Sequence, residues 1–176
     1  VQRILGLMLI MFSLTMLPPI GVALAYGDGH WHPFLSAFAI VAAAGFVLWF
    51  PVRRVHRDLR LRDGFLVVAV FWIFLGLAGA TPLLISDVPA LSFSDAVFEA
   101  VSGFTTTGAT VIVGIDDLPK SVLYYRQQIQ WLGGMGIIVL AVAILPILRI
   151  GGMQLYRAEM PGPMKDTKLT PRITET

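Results

Sequence analysis

Residues 92–113 read SFSDAVFEAVSGFTTTGATVIV, and the fold turns on what this stretch is. It opens with helix-start chemistry. The hydroxyl of Ser92 or Ser94 can accept a free backbone N–H, and Asp95 complements the positive end of a helix dipole. The run 95–104 then reads as a short helix. Asp95, Glu99 and Ser102 fall at i, i+4 and i+7 on one polar stripe, and apolar residues cover the rest. At about 1.5 Å per residue such a helix is about 15 Å long, half of a bilayer core of about 30 Å. Its continuation, Thr105-Thr106-Thr107-Gly108-Ala109-Thr110, carries no charge and no bulky polar group. Successive Thr and Gly residues suit an extended strand whose carbonyls point one way, and Gly108 can take positive φ at no steric cost. Rings of carbonyls that replace a cation's hydration shell are the basis of potassium filters, and a helix C-terminus aimed at the pore axis favours the cation. From the motif alone, a surface helix followed by a Thr-rich turn is the alternative.

The flanks decide between these. Of 176 residues, 56% are apolar and 14% charged, with a mean hydropathy of +0.78. Soluble domains carry about 25% charge, so a water-soluble globule and a disordered chain are both excluded. The absence of Cys removes disulfide scaffolds, Cys-ligated zinc and thiol catalysis. A net charge of +2 argues for no nucleic-acid partner. Four windows, at 4–25, 34–52, 64–85 and 127–148, are long and apolar enough to span a bilayer. They lack the two-residue alternation of barrel strands, so they are helices. The half-length helix lies between the third and fourth. A mostly apolar half-helix between two spans reads as re-entrant, permitted when its irregular continuation is buried in protein or lines water. The expected fold is therefore an all-α integral membrane protein of four transmembrane helices, one re-entrant pore helix and an extended filter strand.

Charge placement orients it. Regions at the N-terminus (Arg3), in the loop 53–64 (Arg53, Arg54, Arg57, Arg60, Arg62) and after 148 hold 11 of the 13 basic residues. By the positive-inside rule, both ends and the Arg loop face the cytoplasm. A cleavable signal peptide ending near Ala23-Leu24-Ala25 is a competing reading of the first window, set against its length and the interruption at Pro18-Pro19.

VFEAVSGFTTTGATV at 97–111 and YRQQIQWLGGMGIIVLAVAILPILRIGG at 125–152 resemble the first pore repeat of the Trk/Ktr/HKT superfamily of potassium transporters, most of all its bacterial TrkH-type membrane subunits. The resemblance covers nearly the whole chain. It implies a helix–pore helix–filter–helix unit at 64–150, preceded by a two-helix hairpin at 1–63 and followed by a cytoplasmic connector at 151–176. It places Thr106, Thr107, Gly108, Ala109 and Thr110 in the filter, with Glu99, Gly103 and Thr105 as its support. Gly108 would be the filter glycine of this repeat. Related plant transporters that favour sodium have Ser there, so Gly implies K+ as the transported ion. The resemblance further implies four repeats around one pore, a homodimer, a cytosolic nucleotide-binding TrkA-like regulatory partner and a bacterial inner-membrane location. A single filter repeat occurs here, so the chain reads as the N-terminal part of a longer protein.

Two rival readings keep their place: a homotetrameric channel of four such chains, and a non-conducting membrane anchor. Glu99 is expected either to brace the filter through backbone N–H groups or to lie on a stripe facing a watery vestibule. Gly133, Gly134 and Gly136 are read as close-packing positions. Gln127, Gln128 and Gln130 are read as polar groups at the outer mouth. His30 and His32, flanking Trp31, fit an aromatic-belt loop better than a metal site, and His56 is a solvated neighbour of arginines. Pro18, Pro19, Pro82 and Pro146 are expected to kink or end helices. No acid/base pair, nucleophile triad, phosphate loop or organic cofactor site is legible, so no enzyme is expected.

Overall fold

The structure, a computed structural model, describes residues 1–53 and 61–147, without the side chains of 61–65 and 139–147. Most of the Arg loop, His56 and the connector 151–176 lie outside the described residues. Among the described residues six α-helices follow in order: α1 (Gln2–Leu14), α2 (Leu17–Tyr26), α3 (Trp31–Trp49), α4 (Leu61–Ile85), α5 (Phe93–Phe104) and α6 (Lys120–Ile147). No strand occurs among the described residues. Residues 1–136 form one compact unit, and a second unit begins at Ile137. The described part of the second is the C-terminal end of α6.

Among the described residues, three stretches are long and apolar enough to cross a membrane: Gln2–Tyr26, Trp31–Val52 and Leu66–Ile85. The fourth expected span, 127–148, falls in α6, much of it beyond the residues whose side chains are described. Large apolar side chains such as Met11, Leu24, Val47, Ile73 and Trp131 are exposed on these helices. Lipid or further protein must cover a surface of this kind.

The first span is two helices, not one. Pro19 has no N–H for the Thr15 carbonyl and Pro18 none for Leu14, so the helix cannot run through. The chain tightens first, with Thr15 N–H on Phe12 O (2.9 Å) and Met16 N–H on Ser13 O (3.0 Å). The Thr15 carbonyl then accepts from Gln128 Nε2 of α6 at 2.7 Å. Gln128 is therefore an internal strut, and the expectation of an outer-mouth polar group is corrected. A buried carbonyl orphaned by proline needs a donor, and tertiary structure brings one.

α6 starts seven residues before the apolar window because charge at a helix start interrupts hydropathy, not hydrogen bonding. Its first turn borrows a cap: Asp28 Oδ2 accepts the Ser121 N–H at 2.9 Å. α5 begins at Phe93, two residues earlier than read. Ser92 caps it, accepting the Asp95 N–H (3.3 Å) and donating to Asp95 Oδ2 (2.7 Å). Within residues 1–136 the buried core gathers around the C-terminal end of α5. Phe104 meets Phe12 of α1 edge-on at 5.7 Å, and Phe34 of α3 meets Tyr125 of α6 at 5.4 Å. The Tyr125 hydroxyl donates to Gly79 O of α4 at 2.8 Å, next to the turn that Pro82 disturbs. The half-length helix packs on α4 along its length, meets α1 at Phe104 and meets α6 at Gly103, which positions the segment after it.

Candidate ion filter and its support

α5 ends in a Schellman motif. The Thr106 N–H donates to Gly103 O (2.9 Å) and the Thr107 N–H to Ser102 O (3.0 Å), the two bonds that define it. The motif requires a left-handed residue just past the cap, and Thr106 takes that place with φ 57°. Glycine usually fills it. A β-branched residue there costs about 1–2 kcal/mol. Two residues on, Gly108 is also left-handed, φ 74°. In a regular strand successive residues alternate faces. Left-handed residues at 106 and 108 break that alternation, so neighbouring carbonyls can share a side. A Cβ on Gly108 would meet nothing within 4 Å, so its backbone angle, not crowding, calls for glycine.

Residues 105–111 are exposed along their front. Behind them, two α5 side chains one turn apart hold this extended segment. The Ser102 hydroxyl donates to Ala109 O at 2.6 Å, so that carbonyl is already engaged by the helix. Glu99 Oε1 accepts the Thr110 hydroxyl (2.5 Å) and the Val111 N–H (2.7 Å). Glu99 Oε2 accepts from Arg126 Nη2 of α6 at 3.0 Å. Glu99 is only 3% exposed, so the reading of a stripe facing water is corrected at this residue. The Thr105 hydroxyl donates to Val101 O (2.8 Å) and lies 2.8 Å from the Thr107 hydroxyl. Gly103 packs on Ile129 of α6, where a Cβ would come within 2.5 Å of the Ile129 Cδ1.

Of the three α6 glycines, Gly133 alone is essential to this packing: a Cβ there would overlap the Phe104 carbonyl. Gly134 and Gly136 have room, with their nearest neighbours at 3.7 and 4.0 Å. Ser102 and Arg126 were not legible as partners of this segment. Ser102 was visible only as part of a stripe. Arg126 reads as one more charge outside the span, where a basic side chain ordinarily snorkels to the interface. His32 stacks on Trp31 at 3.5 Å, and His30 bonds with Asp28. No cluster of His, Cys, Asp and Glu that could hold a metal ion occurs among the described residues.

A half-length helix set between two longer ones, in a chain whose described residues include three stretches long and apolar enough to cross a membrane, defines an all-helical integral membrane protein. The chain belongs to the TrkH family of cation transport proteins, whose pattern matches residues 30–176. It is 61% identical over its whole length to the Trk system potassium uptake protein TrkH of Halomonas elongata, and 57% identical to that of Escherichia coli. In both comparisons it spans 36% of the relative's length. The crystal structure of the potassium transporter TrkH from Vibrio parahaemolyticus superposes with a TM-score of 0.82 at 58% identity, over 86% of this chain and 32% of that one.

Proposed function

We propose that this chain supplies one of four filter segments of a potassium-conducting Trk-type pore. The carrying observation is the pair of left-handed residues, Thr106 and Gly108, at the mouth of a half-length helix that aims its negative end at the same place. Backbone oxygens of Thr106, Thr107, Gly108 and Thr110 are the ligands for K+, the transported ion. Ala109 belongs to the strand, with its carbonyl tied to Ser102. Glu99, Gly103 and Thr105 support it from behind. The names of the relatives and their greater length support a pore completed by further repeats of the same protein rather than by four copies of this chain.

The same reading makes the protein a transporter and not an enzyme. It is a multi-pass protein of the bacterial inner membrane with its N-terminus in the cytoplasm, in keeping with the clustered arginines. It works as a homodimer on a cytosolic TrkA-like nucleotide-binding partner. Neither nucleic acid nor an organic cofactor enters its function.

Gly108→Ser in the full-length protein tests the filter. A side chain at φ 74° is strained by about 1–2 kcal/mol, enough to shift the strand. K+ over Na+ selectivity should then fall by roughly tenfold, equivalent to about 1.4 kcal/mol. Unchanged selectivity at normal membrane abundance would sink the assignment.

A further inference from the structure

Arg126 has no part in the filter reading, yet its surroundings are specific. It reaches Glu99 across 27 residues of chain, and the two side chains are only 11% and 2% exposed. The far oxygen of the same carboxylate takes two more donors, the Thr110 hydroxyl and the Val111 N–H. The Thr110 hydroxyl is itself oriented, because its oxygen accepts the Ile112 N–H at 3.0 Å and its proton must go to Glu99. Every one of these groups donates toward residue 99, so that side chain must be acceptor-only. A neutral acid or an amide would turn a proton toward a donor. Burying a lone carboxylate is expensive, and a guanidinium is the side chain that keeps its charge in a dry site.

We infer that Arg126 is a positioning residue for ion selectivity, a role that rests on the filter reading above. It holds Glu99 as a carboxylate, and through Glu99 it sets the backbone of residues 110–112 and with it the spacing of the carbonyls in front. Arg126 does not touch the ion. A pair that merely glued α5 to α6 would be indifferent to its own polarity. This one is not, since Thr110 and Val111 need an acceptor at position 99.

The experiment measures K+ over Na+ selectivity and membrane abundance of the full-length protein. Arg126→Gln should lower selectivity on the order of tenfold at normal abundance, because it strands a buried carboxylate. Arg126→Lys, which keeps the charge, should restore most of it. Glu99→Gln combined with Arg126→Gln should be no worse than Arg126→Gln alone, because both act through one contact. The exchanged pair, Glu99→Arg with Arg126→Glu, should not recover selectivity, since donors would then face donors. Normal selectivity in Arg126→Gln, or full recovery by the exchanged pair, overturns the inference. So does failure of both Arg126→Gln and Arg126→Lys to accumulate, which would make the pair a folding element only. Gly108→Ser separates the two readings. If it lowers selectivity while Arg126→Gln does not, the filter stands and the positioning role falls. If neither changes selectivity, the filter reading falls with it.

Discussion

Gly133 stands against the carbonyl of Phe104 with no space for a methyl group. That carbonyl belongs to backbone at the end of α5 and cannot swing aside as a side chain would. Gly133→Ala should therefore destabilise the protein by about 1–3 kcal/mol, the usual range for overpacking. Thermal unfolding of the detergent-solubilised protein reads this, and an unchanged midpoint would refute it. Gly134→Ala is the natural control, because its nearest neighbour is the Thr106 methyl at 3.7 Å. Composition marks the three glycines of α6 alike. Successive helical residues point about 100° apart, so only one of them meets a given neighbour, and which one depends on how α6 is rotated. Glu99 shows the same limit from the other side. A carboxylate among apolar residues declares that it has partners, but Thr110, Val111 and Arg126 are named only by the folded chain.

At the scale of helices, prolines and caps carry the argument. Pro18 and Pro19 announce a break, and the sequence shows that the Thr15 carbonyl loses its donor. Nothing local shows that Gln128, 113 positions away, replaces it. The cap of α6 is similarly remote, since Asp28 lies 93 positions from Ser121. Partial burial raises the Asp28 pKa, but hydrogen bonds from the Ser121 and His30 backbone N–H groups outweigh it, and the net shift is below the ordinary 3.8. The native state thus binds this proton more weakly than the unfolded chain does. The cap's contribution is complete above the ordinary carboxylate range and is lost as pH falls through the depressed folded-state value. Thermal unfolding followed from about pH 6 to about pH 3 should show that loss in the parent protein and a smaller one in Asp28→Asn. Equal slopes would show that Asp28 does not cap α6 in solution.

For the whole molecule, the decisive feature is the exposed front of residues 105–111. Carbonyls on one edge cannot replace a hydration shell, because a filter coordinates its ion from all around. Purified and reconstituted alone in liposomes, this chain should give no K+-selective flux, whereas the full-length protein should. Selective flux from the chain by itself, with tetramers detected, would favour the homotetramer reading.

Three of the spans, the half-length helix, the helix-start chemistry at Ser92–Asp95 and the likeness to Trk transporters were all readable in the sequence. Each depends on local sums: apolar length against bilayer thickness, charge by segment, or residue types a few positions apart. Tertiary structure alone decided the inward role of Gln128, the uniqueness of Gly133 and the Arg126–Glu99 pair. The physical reason is common to all three. Each depends on which faces of separate helices meet, and helix rotation and crossing are set by packing of the whole unit rather than by any short stretch of chain.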